Sequence, residues 1–331
     1  MKNKLSLLLY IALFITNISF AATDQLDVSE DINEELRLAN ELMSQKRYQQ
    51  AYQETLKFSD NNQLAQFYLG IMELYGWGRE ANHIAACEWF EKSALKDIPM
   101  AQELLADCYR DGSHKPANFE LAKQWYLRAV ANGLPTASFK LGKVYIEGIL
   151  VEKNQRKGIR LCEEAGNNKS IEAQLFLAKQ FDQGGDFKPD LIRALHWYHA
   201  AASANSAEAQ YRLASILFSG EAGIKDHNQS IKSAEAAAIN GFQPAYLLTA
   251  KLYLNAPLDQ QTKLPTSTNL AKAYMWTQAT LRQENKAKEK IVAEEMLKKI
   301  RSVMPETWEG DLNGEVDDHF ERLSHANLSL Q

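Results

Sequence analysis

Cysteine is scarce in this chain, with only Cys87, Cys108 and Cys162 among 331 residues. An odd and small number excludes a disulfide-dense miniprotein and allows at most one internal bridge. An excess of positive charge is missing too: 37 Lys and Arg face 42 Asp and Glu, a formal net charge of −5. Such a balance offers no general attraction for nucleic acid or an anionic lipid surface. No apolar run approaches the roughly 20 residues that span a bilayer. The run from Leu5 to Ile15 stands behind Lys2 and Lys4 and ahead of Ser19-Phe20-Ala21. Those are the parts of a secretory signal peptide, with cleavage expected after Ala21. Its loss removes two positive charges and no negative ones, leaving −7. The expected product has no transmembrane segment, no cysteine at its start for a lipid anchor, and a periplasmic or secreted location.

What the chain does have is a repeat. Ala65, Ala101, Ala137, Ala173, Ala209 and Ala245 are each 36 residues apart. Four positions after these markers come Leu69, Leu105, Leu141, Leu177 and Leu213, with Thr249 the exception. The next position is always tiny: Gly70, Ala106, Gly142, Ala178, Ala214 and Ala250. Eleven after the marker stand Gly76, Gly112, Gly148, Gly184 and Gly220. Offsets 0, 4, 5 and 8, the last held by Tyr109, Tyr145, Phe181, Leu217 and Tyr253, share one arc of a helical wheel, so each copy opens with an amphipathic helix whose tiny residue admits a close neighbour. The glycine ends it.

Asn82, Asn118, Asn154, Asp190 and Asp226 are suited to cap a second helix, which carries pairs such as Trp89-Phe90, Trp125-Tyr126 and Trp197-Tyr198. In the sixth copy an insertion from Pro257 to Pro265 lengthens the loop, after which Asn269 and Trp276 resume the spacing. The expected units are residues 62–97, 98–133, 134–169, 170–205, 206–241 and 242–280. A degenerate helix pair at 22–61 and a helix at 281–303 are expected to cap them, followed by a polar tail at 304–331. One hairpin cannot bury its own apolar stripe, so neighbours must stack.

The pattern A-x-x-x-L-G-x-x-Y-x-x-G, a loop, and then K/R-A-x-x-W-Y-x-x-A-A resembles the SEL-one-like repeat, a relative of the tetratricopeptide repeat. Ala137–Gly148 and Arg193–Ala202 match it closely, whereas copy five has Ser233-Ala234 and copy three Leu161-Cys162 in place of the aromatic pair. The resemblance spans roughly residues 62–280. It implies an all-α, right-handed α/α superhelical solenoid that binds proteins or extended peptides. In bacteria such chains are often periplasmic or exported, so a non-enzymatic scaffold of the envelope, or an effector delivered to a host, is the expected role. A disulfide-rich branch of the family implies an alternative, a muropeptide-binding or weakly penicillin-hydrolysing protein. That branch repeats its cysteine pairs in every unit, and the three cysteines here do not repeat.

By analogy with related solenoids, the outward arc of each first helix should line a concave groove. Its candidate partner-binding residues are Phe67, Glu103, Phe139 and Tyr211 at offset 2, Asp107, Lys143, Lys179 and Lys251 at offset 6, and Arg110, Asp182 and Phe218 at offset 9. The surface is more apolar and aromatic than a solvated face, and three lysines share one level, which suits a peptide or helix carrying acidic groups. The competing expectation is that such residues pack against the next helix pair.

No catalytic residue, metal site or cofactor is expected, and the chain reads as a monomer. G-x-S-x-G, H-E-x-x-H and phosphate-cradling glycine loops are all missing from the sequence. Ser93-Ala94-Leu95-Lys96 and Ser59-Asp60-Asn61 imitate two motifs of penicillin-recognising enzymes, but in reversed order and without K-T-G. His196 and His199 could share a metal on one helix face. Their counterparts, including Glu88, Arg160, Lys232 and Glu235, mark that face as solvated. The cysteines occupy positions that other copies fill with apolar side chains. Cys87 and Cys108 are also placed nearly symmetrically about the turn at 97–99, so either three buried thiols or one Cys87–Cys108 bridge fits.

Overall fold

The computed structural model describes residues 35–148, 151–184, 188–283 and 287–328. The leader reading falls on residues 1–21, outside them. Among the described residues there are sixteen helices and no strand. They fall into two compact units, Met1–Ser170 and Ile171–Gln331. The first contains α1 (Arg37–Ser44), α2 (Tyr48–Leu56), α3 (Gln63–Tyr75), α4 (His83–Ala94), α5 (Pro99–Asp111), α6 (Phe119–Ala131), α7 (Pro135–Glu147) and α8 (Gln155–Asn167). The second contains α9 (Ile171–Gln183), α10 (Leu191–Ser203), α11 (Ala207–Ser219), α12 (His227–Ile239), α13 (Pro244–Leu254), α14 (Ser267–Leu281), α15 (Ala287–Arg301) and α16 (Trp308–Leu328). Within each unit consecutive helices pack as pairs.

Local chemistry explains the helix ends. The side chains of Asn82, Asn118, Asn154, Asp190 and Asp226 accept first-turn N–H groups of α4, α6, α8, α10 and α12. Gly112 ends α5 at φ 68°, a left-handed conformation that costs glycine nothing and a Cβ-bearing residue about 1–2 kcal/mol. In the sixth copy α14 starts earlier than the Asn269 spacing implies. Thr266 is its cap and accepts from the Asn269 N–H.

The marker alanines and leucines are the core. Ala65, Leu69, Ala101, Leu105, Ala137, Leu141, Ala173, Leu177, Ala209 and Leu213 are all buried. Each such leucine contributes about 1.5–3 kcal/mol of transfer free energy. The tiny position faces the partner helix. At Gly142 an added Cβ would lie 2.8 Å from the Gly158 carbonyl oxygen, and at Gly158 2.5 Å from the Gly142 oxygen. The α7–α8 pair therefore needs glycine on both sides.

The polar tail expected from residue 304 is instead α16. Leu312, Val316 and His319 are buried along one face, and that face joins the cluster containing Tyr246 of α13 and Trp276 of α14. Arg301 holds Glu309 through two hydrogen bonds at 2.9 and 2.8 Å. The apolar period is present but thin, since acidic residues separate its members, and its partners lie far away in sequence.

Candidate functional site

In the first unit the predicted offset positions meet residues of the following copy. Lys140 Nζ stands 2.5 Å from Glu103 Oε1 and 2.5 Å from Asp107 Oδ2. Thr136 donates to the Glu103 carboxylate. Arg110 Nη1 donates to Asp107 Oδ1 at 2.8 Å and to the Tyr126 hydroxyl at 2.9 Å. Burial alone would lower the Lys140 ammonium, but Asp107 and Glu103 reverse the sign and hold it above its ordinary range. Burial, then the Asp107 charge, pushes the Tyr126 phenol far up.

The second unit repeats the device. Arg212 grips Asp182 through Nε at 2.6 Å and Nη2 at 2.8 Å, a bidentate fork, and Tyr198 donates to the same carboxylate at 2.9 Å. Hydrogen bonds from Arg212, outweighing desolvation, hold Asp182 below the usual carboxylate range. Lys179 Nζ pairs with Glu208 Oε1 at 2.7 Å.

These contacts correct the candidate surface. Phe67 is buried, packing on Phe90 with ring centroids 6.3 Å apart, and belongs to the core. Glu103 is buried beneath Lys140. Asp107, Arg110 and Asp182 serve internal networks that neutralise one another. The physical reason is that the residue at offset 3 of the next copy, Lys140 or Arg212, reaches back over the acids. Phe218 is half-buried beside Ala214, Ala234 and Leu252.

Other predicted residues keep accessible surface. In the first unit Phe139 and Lys143 are half-exposed, with Lys143 Nζ 5.8 Å from the Phe139 ring centroid and 3.9 Å from Glu147. In the second, Tyr211 leans on Phe242 at 5.4 Å, and Lys179 and Lys251 are half-exposed. His196 and His199 are both exposed on α10, and Ser93 is buried, donating to the Gln63 carbonyl at 2.9 Å.

Cys87 on α4 and Cys108 on α5 form a disulfide, with Cα atoms 6.0 Å apart. Cys162 is a free, buried thiol pushed up to about 12 by desolvation. The structure also brings His114 to the bridge, which sequence reasoning missed. His114 follows Gly112 in the loop after α5, and its ring and the two sulfurs offer donor atoms all within 4.8 Å of one another. The equivalent loop position in the first copy is Gly78, so the repeat register carries no sign of it.

Comparison with known proteins places this architecture. A family model described as the Sel1 repeat matches residues 63–97, 99–134, 135–170, 171–206 and 207–242, more than half of the chain. An uncharacterized protein of Neisseria meningitidis serogroup B is 33% identical over 153 residues, 46% of this chain and 31% of that protein. Alginate biosynthesis protein AlgK of Pseudomonas syringae pv. tomato is 28% identical over 123 residues, 37% of this chain and 26% of its own length. The matched stretches thus span about a third or less of these curated relatives. Among solved structures, a Sel1 repeat protein from Oxalobacter formigenes is similar at 25% identity and a TM-score of 0.52, covering 76% of this chain and 98% of that one.

Proposed function

From the premise that the chain belongs to the Sel1 repeat family, whose members are generally non-catalytic protein-binding scaffolds, we propose that it holds an extended or helical segment of a protein partner in the bacterial envelope or after export. The carrying observation is which of the candidate side chains keep accessible surface. With Glu103, Asp107, Arg110 and Asp182 neutralised in place, the first helices still present Phe139 with Lys143 in one unit and Tyr211 with Lys251 in the other. A half-exposed aromatic beside a cation, as Phe139 is beside Lys143, suits a ligand of mixed apolar and acidic character. The envelope location rests on the amino-terminal leader pattern, Lys2 and Lys4, the apolar run and Ser19-Phe20-Ala21.

Photo-crosslinkers at Phe139 and Tyr211, with exposed His196 as control, test this in cells of the source. A defined protein captured at the first two sites, and lost on Lys143→Glu and Lys251→Glu, supports the reading. Capture of muropeptide would replace it with the cell-wall alternative, and capture equal to that at His196 would remove the surface assignment. A mature chain that retains residues 1–21 in the cytoplasmic fraction would remove the envelope placement.

A further inference from the structure

Cys87, Cys108 and His114 make a set of donors that the disulfide only half explains. The imidazole is the anomaly. Its side chain is 2% exposed, and neither ring nitrogen has a hydrogen-bond partner. A buried polar atom left without a partner costs about 1–3 kcal/mol. The ring packs edge-on against Tyr109 at 5.3 Å, which accounts for its carbon edge and not for its nitrogens. Glu91 Oε2 is 4.0 Å from Nε2, beyond hydrogen-bond distance, and is itself held by Lys115 at 2.8 Å.

We propose that the reduced chain binds one borderline-soft metal ion of the zinc class through the Cys87 and Cys108 thiolates and the His114 imidazole, and that a small-molecule disulfide, which takes up two electrons and two protons and leaves as thiols, re-forms the Cys87–Cys108 bond and so expels the ion. Two thiolates and one imidazole are the donors such an ion prefers. Tetrahedral zinc, with Zn–S distances of about 2.3 Å, requires sulfurs about 3.8 Å apart. The Cα separation of 6.0 Å leaves the two side chains within reach of that spacing once the bond is opened. The ion would give a ring nitrogen of His114 the partner it lacks. The site joins α4, α5 and the following loop, so the ion would replace the crosslink between the same two helices. In the redox step a dithiol reductant supplies two electrons and two protons, opens the Cys87–Cys108 bond to two thiols and leaves as its own disulfide. The ion then displaces the two thiol protons into solvent.

The test uses the full chain, reduced with a phosphine without oxygen and titrated with Co2+, then Zn2+. One equivalent of Co2+ should give a thiolate-to-cobalt charge-transfer band that Zn2+ abolishes, with two protons released per ion; the oxidised chain should show none. His114→Asn should weaken binding by more than the about 10–100-fold that losing an outer partner of a ligand costs. That variant keeps both cysteines, so helicity of its oxidised form checks its fold. Should the reduced chain lose helicity, restoration by Zn2+ supports the site, and failure to restore overturns it. No charge-transfer band, equal binding by His114→Asn, or equal binding by the oxidised chain would each overturn the proposal.

Discussion

Gly158→Ala isolates a close backbone approach between two helices of the first unit. In a helix the change from glycine to alanine gains about 1 kcal/mol of propensity. At Gly158 the new Cβ would sit 2.5 Å from the Gly142 carbonyl oxygen and 2.5 Å from Ile146 Cγ1. The first obstacle is backbone and cannot swing aside, so α7 and α8 must part by roughly 0.9 Å to reach an ordinary contact. A gap of about 0.5–1 Å forfeits a quarter to a half of each dispersion well along the seam. Overpacking costs of about 1–3 kcal/mol are typical, and an immovable neighbour places this case near the top. The net expectation is a loss of about 2 kcal/mol. Gly314→Ala is the matched control, because Gly314 lies exposed inside α16 with nothing within 4 Å of an added Cβ. There the same substitution should stabilise by up to about 1 kcal/mol. Urea denaturation followed by circular dichroism, with hydrogen exchange of the α7 and α8 amides, reads both. A Gly158→Ala chain as stable as the parent, alongside a normal Gly314→Ala, would refute the steric account of the tiny position.

Three further outcomes follow from the contacts. Reducing Cys87–Cys108, with a sequence separation of 21, should cost about 3 kcal/mol by the chain-entropy estimate, read as a shift in denaturation midpoint with and without reductant in metal-free buffer. Arg212→Met strands Asp182, whose side chain is 9% exposed; the expected loss is about 2 kcal/mol, below that of a fully buried pair because Arg212 is itself 32% exposed. Because Asp182 is depressed in the fold, the pair's contribution is fully present above the unfolded carboxylate value of about 3.9 and is lost as pH falls through the lower folded value. The gap between parent and variant should therefore narrow in acid, and a gap constant across the titration would contradict it. Val316→Asp should place an unpaired carboxylate against the Tyr246 and Trp276 cluster and expose α16 to protease, whereas an inert tail would tolerate it.

The repeat was legible because its determinants are local. A marker alanine, a leucine four residues on, a capping Asn or Asp and a terminal glycine each act within one hairpin, and the structure shows them doing so. α16 escaped because key partners of its buried face lie far away in sequence. His319, for example, meets the Tyr246 hydroxyl at 3.1 Å across 73 residues. The surface was the hardest part for the same reason: a wheel drawn for one helix contains no neighbour. Glu103, Asp107 and Asp182 read as outward acids, yet each is answered by a base three positions after the next marker alanine. That rule is visible in retrospect, since Lys140 and Arg212 occupy the same register one copy beyond the acids they meet. It changes what selects a partner. Several charges of the first helices, Glu103, Asp107, Lys140, Asp182 and Arg212 among them, join one copy to the next. On the proposed reading, recognition falls to half-exposed positions such as Phe139, Lys143, Tyr211 and Lys251.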